Sequence, residues 1–397
     1  MSHLPRVLVY CDQLLPYSAT FVRSQAEALQ NTEAYYAGCR RVPGLSLPPE
    51  KTTVVNAGGV MGKAWESAFK LWGFAPPFMH QLNNIQPSVI HAHFGPDGVR
   101  ALPLMRNLSI PLFVSFHGYD VTIKEAIARR STLSHRTYLQ RRTVLQQEAS
   151  QFIAVSGFIR DKMLNQGFPA DKLAVHYIGV DTETFSPDPR VQRDPIVLFT
   201  GRLVEKKGCT YLIQAMAQIQ QTRPDVELVM IGDGPLRSEL ESQASVQLKR
   251  YRFLGVQSPE QVRGWMNRAQ VFCVPSIIAE SGDAEAFGIV FAEAQAMGLP
   301  VVSFASGGIP EAVAHGKTGF LAPEKNESVL ADYLFQLLDN STLWANVSQN
   351  GQAWVRQHFD LKKQTQKLED LYLGCIEKSR YSISSSSQAT AVIERQA

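Results

Sequence analysis

Two glutamates, Glu285 and Glu293, bracket the run Ala286-Phe287-Gly288-Ile289-Val290-Phe291-Ala292. From Ile289 to Met297 the pattern is helical, closed by Gly298 with Pro300 just beyond, which are helix-end signals. Glu285 therefore falls in the loop ahead of the helix, and Glu293 lies about one turn inside it. The amides of Phe287, Gly288 and Ile289 come at the helix start, where N–H groups lack partners and can hold an anion. Anion-holding amides beside two carboxylates look contradictory until the ligand is considered. Carboxylates accept charge-assisted hydrogen bonds from hydroxyls, at roughly 1.5–3 kcal/mol each. A ligand with a diphosphate between two polyols, as in a nucleotide-sugar, would use both kinds of group.

A second stretch could meet the same diphosphate. Gly201-Arg202-Leu203-Val204-Glu205-Lys206-Lys207-Gly208 follows the apolar run Ile196–Thr200 and precedes a helical segment starting at Thr210. Strand, short basic loop and helix make an anion-binding geometry. Arg202 could bridge two phosphate oxygens with its planar fork. Either Lys206 or Lys207 could add a compact charge, and Lys207 is favoured because it abuts Gly208, which permits close backbone approach. Ile231-Gly232-Asp233-Gly234-Pro235 reads as a tight shaping turn. Ser306-Gly307-Gly308-Ile309-Pro310-Glu311 has the same position after a strand; its glycines would let backbone approach a ligand, though a plain turn explains them equally well.

In the first half, His91-Ala92-His93-Phe94-Gly95 and Phe116-His117-Gly118-Tyr119-Asp120 both end strand-like runs, so both should point into a cleft. His91 and His93 share a strand face, yet no further ligands at sensible spacing accompany them, and no metal site is expected. His117, backed by Gly118 and Asp120, is the candidate for touching a reacting sugar.

These stretches need strand ends to position them. Strand candidates at Arg6–Tyr10, Thr52–Val55, Ser88–Ala92, Leu112–Phe116, Phe152–Val155 and Leu173–Ile178 alternate with helical segments. Such alternation implies right-handed βαβ units in a parallel sheet. Three prolines between Asp181 and Pro195 mark a linker. A second series follows at Ile196–Thr200, Val226–Ile231, Arg252–Leu254, Val271–Val274 and Pro300–Phe304. The expected fold is α/β, two doubly wound Rossmann-like domains facing across a cleft. Residues 1–185 form the first domain, 195–360 the second, 361–378 a C-terminal helix and 379–397 a disordered, serine-rich tail.

The 397 residues are 45% hydrophobic and 19% charged, ordinary for a globular protein. No run approaches the ~20 apolar residues of a membrane span. Five scattered cysteines without a secretory core suggest reduced thiols and a cytoplasmic setting. Residues 1–190 carry 19 Lys+Arg against 14 Asp+Glu, and the remainder 20 against 22. The basic excess gathers at Arg129, Arg130, Arg136, Arg141 and Arg142, which could meet anionic lipid or an acidic acceptor or simply form a solvated helix face. No nucleic-acid-binding motif accompanies it. Trp65, Phe69, Trp72 and Phe74, followed by Pro76-Pro77-Phe78, either pack a helix or form a peripheral membrane face.

Taken together, GRLVEKKG (201–208), IGDGP (231–235) and EAFGIVFAE (285–293) resemble the retaining group-1 glycosyltransferases, family 4, with the GT-B fold. SATFVRSQAEAL, HAHFG and FHGYD resemble the bacterial exopolysaccharide enzymes of the colanic-acid type. The resemblance covers roughly residues 6–378 and implies metal-independent hexose transfer from a UDP-, GDP- or ADP-sugar to a saccharide or lipid-linked acceptor, with no cofactor. It implies that Arg202 and Lys207 hold the diphosphate, with Gly201 in the same loop. Glu285 contacts the transferred sugar and Glu293 the ribose, with Phe287, Gly288 and Ile289 against the phosphates, and His117 near the reacting sugar. An epimerase or hydrolase of the same fold, or a non-catalytic binding subunit, are the alternatives. Two positions depart from the family pattern: Ala286 replaces a common Gly, and Pro16-Tyr17-Ser18 replaces paired glycines. A left-handed backbone at Ala286 would cost roughly 1 kcal/mol or more.

Overall fold

The computed structural model describes residues 4–394, with side chains of the last helix followed as far as Ser379. Strands β1 (Arg6–Tyr10), β2 (Gln13–Leu14), β3 (Glu33–Arg41), β4 (Thr52–Asn56), β5 (Val89–His93), β6 (Leu112–Phe116), β7 (Gln151–Ala154) and β8 (Leu173–Val175) form one sheet. Their order is β2-β3-β1-β5-β6-β7-β8, with β4 also paired to β3. Strands β9 (Ile196–Thr200), β10 (Glu227–Ile231), β11 (Tyr251–Phe253), β12 (Val271–Cys273), β13 (Val301–Phe304) and β14 (Gly319–Ala322) form the other, in the order β11-β10-β9-β12-β13-β14. Every pairing is parallel. Continuous apolar strands such as Val7–Tyr10 and Ile196–Phe199 are buried, because helices cover both faces.

In each sheet the strand order reverses beside the first strand, between β1 and β5 and between β9 and β12. Loops leaving such a pair part company, and a crevice opens at the carboxyl ends. Gly201 follows β9, and the segment that reaches Gly288 follows β12. Both chemistry-bearing stretches of the second domain therefore leave its sheet at one point.

The last helix belongs to the first domain. Its Leu368, Tyr372 and Ile376 share a core with Val7, Val9 and Phe113. Glu369 accepts from the amides of Gln30 (3.0 Å), Asn31 (2.7 Å) and Thr32 (2.9 Å). The return crosses the outgoing linker, where Val180 N donates to Phe359 O (2.7 Å) and Leu361 N to Val180 O (2.9 Å).

Patterning predicts no strand at Glu33–Arg41, yet β3 lies there. Gly38 and the terminal Arg40-Arg41 obscure it, and the glycine is needed because a Cβ would sit 2.2 Å from Cys11 O. β14 is likewise unmarked. The aromatic segment 65–78 divides: Phe69 and Phe78 meet edge to face in the core (5.7 Å), helped by a helix at Pro76–Ile85 that begins on its two prolines. Trp72 and Phe74 stay exposed. The helix backbone starting at Leu361 runs on through the serine-rich tail to Glu394; no Gly or Pro follows Gly374 to stop it. Residues 395–397 of that tail lie outside the described residues.

Candidate functional site

Glycines lock the loops of the second domain together. A Cβ at Gly208, whose φ is 64°, would lie 1.9 Å from Pro275 O. One at Gly232 would lie 1.9 Å from Gly201 O, and one at Gly234 would lie 2.4 Å from Leu203 O. The IGDGP turn thus shapes the Gly201–Leu203 loop. Gly308 N donates to Glu285 O (2.8 Å), and a Cβ at Gly308 would be 1.9 Å from Ala286 O. The Gly307-Gly308 pair therefore admits the Glu285–Ala286 backbone; that close approach, rather than one to a ligand, explains its size.

The charged groups then fall into place. Lys207 Nζ donates to Glu285 Oε2, and Ser276 Oγ reaches the same oxygen at 3.4 Å. Lys206 instead pairs with Asp283 (3.1 Å). Burial pushes the Glu285 carboxyl up, but Lys207, Lys206 and Ser276 more than offset it, leaving the group below its ordinary range. The acid stays ionised in a desolvated place because two cations face it. Arg202 is exposed, and its guanidinium has no hydrogen bond or ion pair among the described residues.

The helix spans Ile289–Ala296 after Gly288, which takes a left-handed φ of 78°. Ala286 does not adopt that region, so replacing glycine there carries no backbone strain. The N–H groups of Phe287, Gly288 and Ile289 find no acceptor among the described residues. The Phe287 side chain packs on Tyr177 (5.5 Å) and Phe359 (4.9 Å) at the domain crossing, so its amide alone is left for a ligand. Ile289, Val290 and Glu293 keep partial exposure on one helix face, whereas Phe291, Ala292, Ala294, Gln295 and Ala296 are buried. The Glu293 carboxyl has no hydrogen bond or ion pair among the described residues, and burial pushes it up to about 7.

Across the crevice, His117 lies between the rings of Phe21 and Phe94 (4.8 Å each). Its Nε2 is 3.1 Å from His93 Nδ1, and its Nδ1 is buried without a partner. Burial, then the neighbouring His93, holds the imidazole well below its ordinary range, so it is neutral at pH 7. Asp120 does not touch that ring; it accepts from the amides of Gly95 (2.9 Å) and Gly118 (3.0 Å) and fixes the loop. His91 does not face the cleft either. It bonds Tyr372 of the last helix and Ser115 Oγ (2.7 Å), a structural role. Beside His117 a cavity of about 590 Å³ opens at the first sheet's switch point, with Asp12, Asp97 and Arg100 at its charged end. Arg100 Nη1 is 3.0 Å from Asp12 Oδ2 there, a cluster the motifs do not mark. Beside the Pro16-Tyr17-Ser18 loop the left-handed backbone falls on Leu15, with a φ of 30°, and a Cβ at Gly44 opposite would meet Leu15 O at 2.2 Å.

The two lobes touch. Ser156 Oγ donates to Ala286 O (2.5 Å), and Lys124 N donates to Ser281 O (2.8 Å). Glu311 accepts from Gly157 N (2.7 Å), Phe158 N (2.9 Å) and Tyr177 OH (2.9 Å). A Cβ at Gly118 would lie 2.9 Å from Ala286 Cβ, so the His117 loop and the Glu285 loop are in contact. Ser156 precedes a helix as a capping residue, a signal present in the sequence, but nothing local reveals that it also bridges domains.

Residues 19–184 match the family model Glycosyltransferase Family 4, and residues 181–354 match Glycosyl transferases group 1. The chain is 31% identical over 298 residues to the putative colanic acid biosynthesis glycosyltransferase WcaL of Escherichia coli, covering 71% of this chain and 70% of that protein. It is 31% identical over 233 residues to a GDP-mannose-dependent alpha-(1-6)-phosphatidylinositol monomannoside mannosyltransferase of Mycobacterium tuberculosis, covering 55% and 60%. The crystal structure of Anabaena HepE in complex with UDP and glucose is similar with a TM-score of 0.73 and 22% identity, covering 93% of this chain and 100% of that one.

Proposed function

The chain belongs to the group 1 (family 4) glycosyltransferases with the GT-B fold, and on that premise we propose that it transfers a hexosyl group from a nucleoside-diphosphate sugar to an acceptor hydroxyl, with retention at the anomeric carbon. The observation that carries this reading is the meeting of Lys207 and Glu285, a cation and an acid from separate stretches, at the switch point of the second sheet. Lys207, Arg202 and the amides of Phe287, Gly288 and Ile289 stabilise the charge that grows on the departing diphosphate. Removing one such group costs about 10²–10³ in turnover. Positive charge from side chains and a helix start does the work a divalent ion would do, so none is required. Glu285 accepts from hydroxyls of the transferred hexose, and Glu293 accepts from the ribose. His117 offers its unpartnered Nδ1 to the reacting sugar. Retention is what the resemblance implies, and it fits front-face attack assisted by the departing phosphate.

The acceptor is a saccharide or a lipid-linked saccharide of a surface polysaccharide or glycolipid, in keeping with the names of its relatives. Peripheral contact with a membrane suits such an acceptor. Turnover of UDP-, GDP- and ADP-sugars, with and without acceptor, tests the reaction, and the product anomer read by NMR tests retention. Glu285→Gln and Lys207→Ala should each lose turnover about a hundredfold or more; wild-type rates in both would remove the site assignment. Product from donor alone would point to an epimerase or hydrolase instead.

A further inference from the structure

The helix Gly59–Trp72 turns only a narrow face inward, made by Gly62, Glu66 and Phe69. At about 100° per residue, Val60, Met61, Ala64, Ala68, Leu71 and Trp72 fall on a separate arc about 120° wide. That arc is bare. Val60 is 88% exposed, Met61 67%, Leu71 60%, Trp72 76% and Phe74, in the following turn, 56%. Scattered exposed apolar residues need no account, but a row along one helix beside the core-facing stripe does. Lys63 and Lys70 flank the arc on its other side, and Arg40 and Arg41 line a cavity with Gly58 at the helix start. Lys63 and Arg41 have no ion pair among the described residues.

We propose that this helix and the Phe74 turn are a docking face for an anionic lipid surface. An apolar arc carrying Trp and Phe, with the unpaired Lys63 and Arg41 nearby and Lys70 shared with Glu66, matches a helix lying in the headgroup region. The cations beside the arc are complementary to an anionic lipid surface. No helix among the described residues is long and apolar enough to cross a membrane, so contact of this kind is peripheral. Lys70 also lies 3.4 Å from Asp12 at the charged end of the cavity beside His117, so docking here brings that cavity close to the lipid. The inference deepens the peripheral contact named above without depending on the reaction.

Flotation of the full chain with vesicles tests it, using phosphatidylcholine alone and phosphatidylcholine mixed with an equal part of phosphatidylglycerol. Wild type should float with the mixed vesicles and much less with phosphatidylcholine alone. Leu71→Ser combined with Trp72→Ser should weaken partition about tenfold or more. Arg41→Glu combined with Lys63→Glu should erase the preference for anionic vesicles, and Val246→Ser, equally exposed elsewhere (84%), should change nothing. All variants should keep donor turnover in solution, which separates failure of docking from failure of the reaction. Wild type staying below the gradient with both vesicles, or the Leu71/Trp72 variant floating like wild type, would overturn the proposal. So would a concentration-dependent dimer that the same substitutions dissociate.

Discussion

Glu293→Gln should make the ligand-free protein more stable above neutral pH while weakening its grip on the donor. Burial moves this carboxyl from an ordinary 4.5 to about 7, a difference worth at most roughly 3 kcal/mol. The side chain keeps partial exposure, and solvent screening brings the figure to about 2 kcal/mol. The sign follows from proton binding. The folded chain holds the proton at pH values where the unfolded chain has released it, so the favourable contribution is full below about pH 4.5 and is lost as pH rises through about 7. The neutral amide avoids that loss. Wild type and variant should therefore unfold within about 2 °C of each other at pH 5, and the variant should melt about 4–8 °C higher at pH 8, taking about 2–4 °C per kcal/mol for a lobe of this size.

Donor binding should move the other way. A carboxylate accepting from a diol contributes roughly 1.5–3 kcal/mol per charge-assisted bond, so KM for the donor at pH 8 should rise about 10–100-fold. Scanning calorimetry at the two pH values, beside donor kinetics at pH 8, reads both effects. A stability difference equal at pH 5 and pH 8 would refute the burial argument. An unchanged donor KM would refute the role at the ribose.

Three further outcomes are expected. Gly308→Ala forces a methyl to within 1.9 Å of Ala286 O, so the Glu285 loop must shift; turnover should fall by about 10²-fold or more, with loss of several °C in melting temperature. Glu369→Ala strips the amides of Gln30, Asn31 and Thr32 of their acceptor and should lower stability by about 3–5 kcal/mol in denaturant unfolding, with little change in donor KM if the folded crevice is intact. His117 is held neutral by burial and by His93, so the kcat profile should show no histidine inflection between pH 6 and 9, while His117→Ala should lower kcat about a hundredfold at nearly constant donor KM.

The second domain was the more legible in sequence because its signals are local. Gly201–Gly208 and Glu285–Glu293 each carry strand end, loop and helix start within a few residues, and the sheet's switch point then brings them together. One adjacent glycine favours Lys207 over Lys206 as a phosphate ligand; in the fold Lys207 meets Glu285 and Lys206 meets Asp283. What escaped notice depends on distant contacts. His91 looked like a cleft residue until Tyr372, 281 positions later, filled its ring nitrogen. Gly307 and Gly308 suit a ligand or a plain turn equally, and their neighbour is the backbone of Glu285 and Ala286. The last helix could be drawn from its periodicity, but nothing in that periodicity says which domain it covers. A pattern fixes which face of an element is buried, and only the tertiary fold decides what buries it.

The Lys207–Glu285 pair also explains how a site built to hold opposite charges can exist without its ligand. A buried cation or a buried carboxylate alone would be neutralised or destabilising, since desolvation costs several kcal/mol per ion. Joined, with Ser276 on the same carboxylate oxygen, the Glu285 carboxylate remains ionised, and burial raises the strength of each remaining contact. On the proposed reading the donor inserts between them: the diphosphate takes the ammonium and the hexose hydroxyls take the carboxylate. Neither group then has to be desolvated at the moment of reaction, because folding has done that already. The same logic separates the two glutamates. Glu285, paired, is charged and ready before the donor arrives; Glu293, unpaired and pushed up to about 7, becomes a good acceptor only when it loses its proton to solvent or a diol stabilises the ionised form. Donor affinity should therefore rise with pH through neutrality on account of Glu293 alone, and the slope should vanish in Glu293→Gln while persisting in Glu285→Gln.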